Sequence, residues 1–149
     1  MITDPRTRRG AVTVEVAFVF PVVAFLILAL IVGSVGIFRY QEACYAAHEG
    51  ARYAAVHGSN YENDTGNPAA TPVDVYNNAI LPRLMTLDPS RLTYSVTWDK
   101  DNSPSSMTTD YEKPVSNTVT VTVTYSWLPE LYLVGPITLK GSSTLPMSY

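Results

Sequence analysis

Apolar and polar positions follow two different rhythms along this chain, and each predicts its own element. From Val16 to Phe38 there are 23 residues without a charge. At about 1.5 Å rise per residue, a helix of that length is roughly 35 Å long, enough to cross a bilayer core of about 30 Å with some tilt. No second stretch of the 149 residues approaches it, which excludes a multi-span channel or transporter. Arg39 and Tyr40 follow, suited to the outer interface as charged and aromatic anchors. The helical period then continues to about Val56, with Ala43, Ala47, Gly50 and Ala54 at i, i+4, i+7 and i+11. A stripe of small residues lets another backbone approach closely, either a sheet of the same chain or the helix of a neighbouring subunit. Ala29 and Gly33 form a weaker pair of that kind inside the span. Pro21 lacks an N–H and predicts a kink, and Gly58 with Ser59-Asn60 predicts the end of the helix.

Residues 58–71 are polar and rich in turn formers, and read as a loop. Thr71-Pro72-Val73-Asp74 has the form of a helix start, with Thr71 as cap, Pro72 in the first turn and Asp74 reaching back. Val73, Tyr76, Ile80 and Leu84 would line one face of this short helix, with Pro82 bending or ending it. The rhythm then changes to period two. Leu92, Tyr94, Val96 and Trp98 alternate with polar residues, as do Val119, Val121, Val123, Tyr125 and Trp127, while Ile137, Leu139 and Leu145 continue the theme more loosely. One apolar face and one threonine-rich face predict an antiparallel sheet covered on one side, with the small-residue stripe as its natural cover. The fold class is therefore α+β: a long N-terminal transmembrane helix running into a small domain with a short helix and a sheet of about three strands. Residues 99–116 read as a long polar loop. The segment Trp127–Pro136 is apolar enough to be either a buried corner or an exposed docking patch.

Charge distribution sets an orientation. Arg6, Arg8 and Arg9 precede the apolar run, which places the N-terminus in the cytoplasm and the body outside. From Tyr40 onward six basic residues face eleven acidic ones, and an acidic body without a basic stripe has no electrostatic footprint for nucleic acid. A cleaved secretory signal fits poorly, because the run exceeds the usual apolar core of such signals and no small-x-small site closes it. Candidate chemistry is sparse. His48 and His57 are nine residues apart on the predicted helix and do not share a metal. Asp99-Lys100-Asp101-Asn102-Ser103 lacks the glycine and the downstream glutamate of a calcium loop and reads as a solvated face. Cys44, the single cysteine, has no internal disulfide partner and reads as a small buried apolar residue. Asn63-Asp64-Thr65 fits a glycosylation sequon of a kind that arises often by chance. No cofactor, metal or catalytic constellation is predicted, and the chain reads as an enzyme's substrate rather than an enzyme.

One motif stands out: Arg8-Arg9-Gly10-Ala11-Val12-Thr13-Val14-Glu15. A lone carboxylate at the mouth of an apolar span is costly and calls for an explanation. Glu15 reads either as a marker of the cytosolic interface or as the partner of an amine made by proteolysis. In the second case, cutting between Gly10 and Ala11 removes the arginines and frees an ammonium that Glu15 of an adjacent subunit pairs in low dielectric. Gly10 with Glu15 resembles the cleavage motif of type IV pilins and pseudopilins. The wider set (Arg9-Gly10-Ala11, Val14-Glu15-Val16-Ala17, Pro21, the aliphatic run and Glu49-Gly50-Ala51-Arg52-Tyr53-Ala54-Ala55) resembles the TadE-like group, small pseudopilins of tight-adherence (Tad, Flp-type) pilus systems. A serine-rich C-terminal strand segment, Gly141-Ser142-Ser143-Thr144, fits the same group, whereas His48 stands where many members carry an arginine.

The resemblance implies a pilin-like fold with a leader at 1–10, a long helix at 11–57 whose transmembrane part is 16–38, and an extracytoplasmic domain at 58–149. It further implies cleavage by a prepilin peptidase after Gly10. The mature chain would sit in the inner membrane or a surface pilus, beside other pilins or pseudopilins and the inner-membrane assembly platform, in pilus assembly and adhesion. The rival reading is a single-pass anchored binding module that is never processed and tolerates Gly10→Leu.

Overall fold

A computed structural model describes residues 5–100, 102, 118–130 and 135–148, without the side chains of 5–9, 11, 60 and 63. The layout is α+β. Helix α1 runs from Pro5 to Val56, 52 residues, with Pro21 inside it and no break in the element. It starts earlier than residue 11, where the long helix is predicted to begin. By compactness the chain divides into two units, Met1–Val35 and Gly36–Tyr149.

In the first unit the described side chains of α1 are nearly all exposed, Val16, Phe18, Phe20, Phe25, Leu26 and Leu30 among them. None of its most apolar stretch is buried, and the helix is long and apolar enough to cross a membrane. A continuous apolar surface of this kind far exceeds the patches that water-soluble monomers tolerate, so hydrocarbon is its natural solvent.

The second unit holds the last part of α1 (from Gly36), the short helices and the sheet. Strands β1 (Leu92–Trp98), β2 (Thr118–Trp127) and β3 (Ile137–Pro146) form an antiparallel meander in that order, with β2 central. Register pairs Leu92 with Tyr125 and Trp98 with Val119 on one side, and Val123 with Gly141 and Trp127 with Ile137 on the other. The period-two expectation holds here: Val119, Val121, Val123, Tyr125 and Trp127 are buried. On the opposite face hydroxyls pair across strands, Thr120 with Thr144 at 2.8 Å and Thr122 with Ser142 at 3.0 Å.

The cover of the sheet is the small-residue side of α1. Ala43, Ala46, Ala47, Ala51 and Ala54 have no solvent exposure, and Gly50 is buried with them. A Cβ placed on Gly50 would come within 3.1 Å of the side chains of Ile80 and Val121. One placed on Gly141 would fall 2.6 Å from the backbone nitrogen of Cys44 and 2.7 Å from the carbonyl of Ala43. Strand β3 therefore lies directly on the helix backbone, which only glycine at 141 permits. Two bonds secure the C-terminal end of α1, where carbonyls lack helical partners: Ser148 donates its N–H to Ala55 O and Ala70 to His57 O.

Two local expectations are corrected. Residues 59–65, read as loop, form helix α2 (Ser59–Thr65), closed by Gly66 in the left-handed conformation at φ 73° with its N–H on Glu62 O. Its start is capped from afar, by the Asn102 side-chain oxygen accepting from Ser59 N at 3.0 Å, and Glu62 accepts from Ala69 N at 2.9 Å. The capping box at Thr71 and Asp74 forms as expected and opens α3 (Pro72–Val75). The inward face differs, however. Val73 is 55% exposed, whereas Val75, Ala79 and Ile80 are buried. The reason is the π turn at Tyr76–Ile80, whose wider spiral shifts the phase that a regular α period assigns. A 3₁₀ turn at Leu81–Arg83 containing Pro82 ends the segment.

Candidate functional site

At the N-terminal end, Gly10 and Glu15 both lie within α1, and both are exposed. Ala11 and Glu15 are four residues apart, which puts them on one helix face a turn, or about 6 Å, from each other. Gly10 has helical backbone, and a Cβ there would meet nothing within 4 Å. Neither packing nor backbone conformation in this chain therefore demands glycine at position 10.

The stripe Ala43, Ala47, Gly50 and Ala54 is placed against the sheet of its own chain, as described above. A neighbour meeting this unit would find other side chains. His48 is exposed, with Nδ1 3.3 Å from Ser143 Oγ. His57 is half-buried between Tyr53, stacked at 4.1 Å, and Tyr61 at 4.7 Å. Its Nδ1 lies 2.9 Å from Tyr53 O, and since a carbonyl only accepts, Nδ1 carries the proton. The two imidazoles thus have separate partners, and among the described residues no cluster of three metal-binding side chains occurs. Asp99, the first residue of the calcium-like segment, completes the β1–β2 ladder by accepting from Thr118 N at 3.2 Å while donating its N–H to Thr118 O. Cys44 is half-buried rather than buried. Of the 99–116 loop, all but Asp99, Lys100 and Asn102 lies outside the described residues.

The most elaborate arrangement surrounds the part of α1 just after the uncharged run. Gly36 faces the Trp127 ring so closely that a Cβ would approach it to 2.5 Å. Arg39 pairs with Glu130 at 2.8 Å, and its guanidinium lies 5.7 Å from the Trp127 ring centre. Trp127 is 4% exposed and Pro129 is buried, so the described start of the Trp127–Pro136 segment is a buried corner. Gly36→Ala is expected to destabilise this unit by about 1–3 kcal/mol, because the ring has to move. Thermal unfolding followed by near-UV circular dichroism checks it, and an unchanged midpoint would refute the contact.

On the other side of the helix Glu42 is 8% exposed. Its carboxylate accepts from the backbone N–H groups of Met85, Thr86 (2.8 Å) and Leu87 (3.4 Å), and from the Thr86 hydroxyl at 2.5 Å. Burial alone would raise the Glu42 carboxyl, but these hydrogen bonds outweigh it and hold the group below the ordinary carboxylate value. Two turns further on, Glu49 pairs with Arg83 at 3.3 Å, and Arg83 lies 5.8 Å from the Tyr45 ring centre. Sequence reasoning passes over Gly36, Glu42, Trp127 as a packing partner, and Gly141. A glycine inside an alternating strand is a usable signal for Gly141. Nothing local marks Glu42, because its partners are backbone amides more than 40 residues away.

Residues 10–52 match the model of the family described as TadE-like protein. The matched segment begins at Gly10 and ends at Arg52, so it takes in Glu15, the whole uncharged run and the Glu-Gly-Ala-Arg motif, and over this stretch the chain is similar to TadE-like proteins. No curated protein and no solved structure matches the chain. The match suggests a protein associated with a Tad pilus, and among the described residues one apolar helix, near the N-terminus, suggests a membrane anchor.

Proposed function

From the TadE-like similarity of residues 10–52, we propose that the chain is a minor pseudopilin of a Tad-type pilus, made as a precursor and processed by a prepilin peptidase between Gly10 and Ala11. In this reading residues 1–10 are the leader, α1 crosses the inner membrane over 16–38 with its N-terminus inside, and the body lies in the periplasm or outside the cell. The role is structural rather than enzymatic. The protein joins other pilins or the assembly platform and serves pilus assembly and adhesion.

The observation that carries the reading is Gly10 five residues ahead of Glu15 at the mouth of an uncharged run. The glycine is not needed by the fold, since its side-chain space is open. A requirement for glycine there fits the narrow subsite of a protease. Cleavage removes three arginines and leaves an ammonium at Ala11, where the helix N-terminus adds its own partial positive charge. A carboxylate at Glu15 then stabilises that end, within the chain by one turn or across to a subunit staggered along the assembly.

N-terminal sequencing of membrane-associated protein from cells with and without the peptidase tests this. The expected mature start is Ala11 only when the peptidase is present, and Gly10→Leu should block processing. A chain still starting at Met1 or Ile2 beside an active peptidase would overturn the proposal. Glu15→Val should be cleaved yet poorly incorporated into pili; normal incorporation would remove the charge pairing.

A further inference from the structure

Met85 is 86% exposed, the most exposed of the large apolar side chains among the described residues. Its exposure is not that of a loose loop. The backbone on which it stands is tied to α1 by the Glu42 carboxylate through three consecutive amides and the Thr86 hydroxyl. Together with Phe38, Gln41, Tyr45 and Pro82, Met85 lines an open groove of about 430 Å³. A fold that fastens an apolar side chain outward, beside an apolar groove, has prepared it for a non-aqueous neighbour.

The position along α1 says which neighbour. Phe38 ends the uncharged run and is 55% exposed, continuous with exposed Ile37. Glu42 lies four residues further, about 6 Å along the helix axis, and Tyr45 about 10 Å. The interfacial layer on each side of a bilayer core of about 30 Å is roughly 5–7 Å thick. Within this unit, then, the Met85 backbone, bonded to Glu42, stands about one helical turn beyond Phe38, which is headgroup level where Phe38 marks the edge of the core. The chemistry is graded to match. Phe38 lies at the inner end and Met85 within the layer, while Tyr45, with the Arg83 guanidinium over its ring, stands just beyond the headgroups on the aqueous side. Neither nearby carboxylate is bare toward lipid phosphate, since Glu42 is turned into the body and Glu49 is paired with Arg83.

Resting on the membrane-anchored reading above, the geometry points to a second membrane contact: the Pro82–Met85 corner lies on the outer leaflet of the anchoring membrane, with Met85 inserted beside Phe38 at the boundary of headgroups and acyl chains. The body is then held against the bilayer at two places, and withdrawal into a fibre must strip lipid from this corner.

Site-directed fluorescence on the full chain in vesicles of phosphatidylethanolamine and phosphatidylglycerol tests the contact. Cys44, the sole cysteine, is first replaced (Cys44→Ala), and an environment-sensitive probe is attached to Met85→Cys, to Phe25→Cys in the span, or to Asn67→Cys on the exposed turn after α2. Because Met85 is so exposed, its replacement leaves the fold intact. The Met85 label is expected to show blue-shifted emission, quenching by lipid carrying a nitroxide near the top of the acyl chain, and protection from aqueous iodide. The Asn67 label should show the reverse, and the Phe25 label should be quenched by a deep nitroxide. A Met85 label quenched by iodide, or shielded from both lipid and iodide by another protein surface, overturns the contact while Phe25 still reports an anchor. If Phe25 itself escapes lipid quenching, the anchor reading falls and this contact with it.

Discussion

Gly141→Val is expected to remove about 3 kcal/mol or more from the stability of the sheet-bearing unit, at the upper end of what overpacking costs. The cause is space alone, since the Gly141 backbone is not left-handed. A Cβ would lie 2.6–2.7 Å from the peptide joining Ala43 to Cys44, and a helix backbone cannot rotate aside as a side chain can. Either β3 lifts from α1, unpairing from β2 along Val123–Gly141, or α1 shifts and opens the alanine layer over Val119, Val121 and Val123. Gly50→Ala is the informative comparison. There the obstacles are the Cγ1 atoms of Ile80 and Val121 at 3.1 Å, which yield by small rotations, so a loss of about 1 kcal/mol is expected. Gly10→Ala, in open space, should leave thermal stability unchanged. Circular dichroism melts of the three variants in detergent or nanodiscs measure the order. A Gly141→Val midpoint equal to that of wild type would mean that β3 does not rest on α1.

What the sequence makes legible follows from how local each cause is. The uncharged run, the helical continuation to Val56 and the alternation in β1 and β2 are each written in consecutive residues, because one solvent or one covered face acts along the whole element. β3 reads more faintly for a physical reason: its inward positions include Gly141, dictated by the helix backbone above it, and Ser143, whose hydroxyl meets the His48 ring, rather than apolar bulk. Helix α2 escapes notice because its start is capped by Asn102, 43 residues away, and the inward face of α3 is misassigned because a π turn breaks the assumed period. At the candidate site the same division holds. Gly10 and Glu15 stand out by their spacing and the Glu-Gly-Ala-Arg motif by its resemblance to the TadE-like group, and all lie within the segment the family match covers. The contacts of Gly36 with Trp127 and of Glu42 with the Met85–Leu87 loop join α1 to residues more than 40 positions away, and no window of sequence contains either.

Glu42→Ala tests how firmly the Met85–Leu87 loop is held. Glu42→Ala withdraws the acceptor for three amides and a hydroxyl, and its cost is expected to be about 1–3 kcal/mol, or roughly 5–15 °C in melting temperature. The lower end applies if water reaches the freed amides of Met85 and Thr86, both on exposed residues; the upper end applies if Leu87, which is buried, loses its place as well. Acid should reproduce part of this loss in the wild type. Since folding lowers the Glu42 pKa, its contribution is fully present above the ordinary carboxylate value of about 4.3 and disappears as pH falls through the lowered folded value. Asp74 and Asp88 are also held low, by hydrogen bonds within their own caps (from Thr71 and from Ser90) and, for Asp88, by the nearby Arg91 charge, and their contributions are lost in acid too. They are common to wild type and to Glu42→Gln, and so cancel in the difference between the two. That difference in midpoint should be constant from neutral pH to about pH 5 and narrow below about pH 4, as the wild-type carboxyl takes up its proton. A difference independent of pH would mean that the carboxylate charge does not hold the Met85–Leu87 loop to α1. In vesicles the same titration carries a second readout. Releasing the loop frees Met85 from its fixed height above Phe38, so lipid quenching at position 85 should fall in parallel with the loss of the Glu42 bonds.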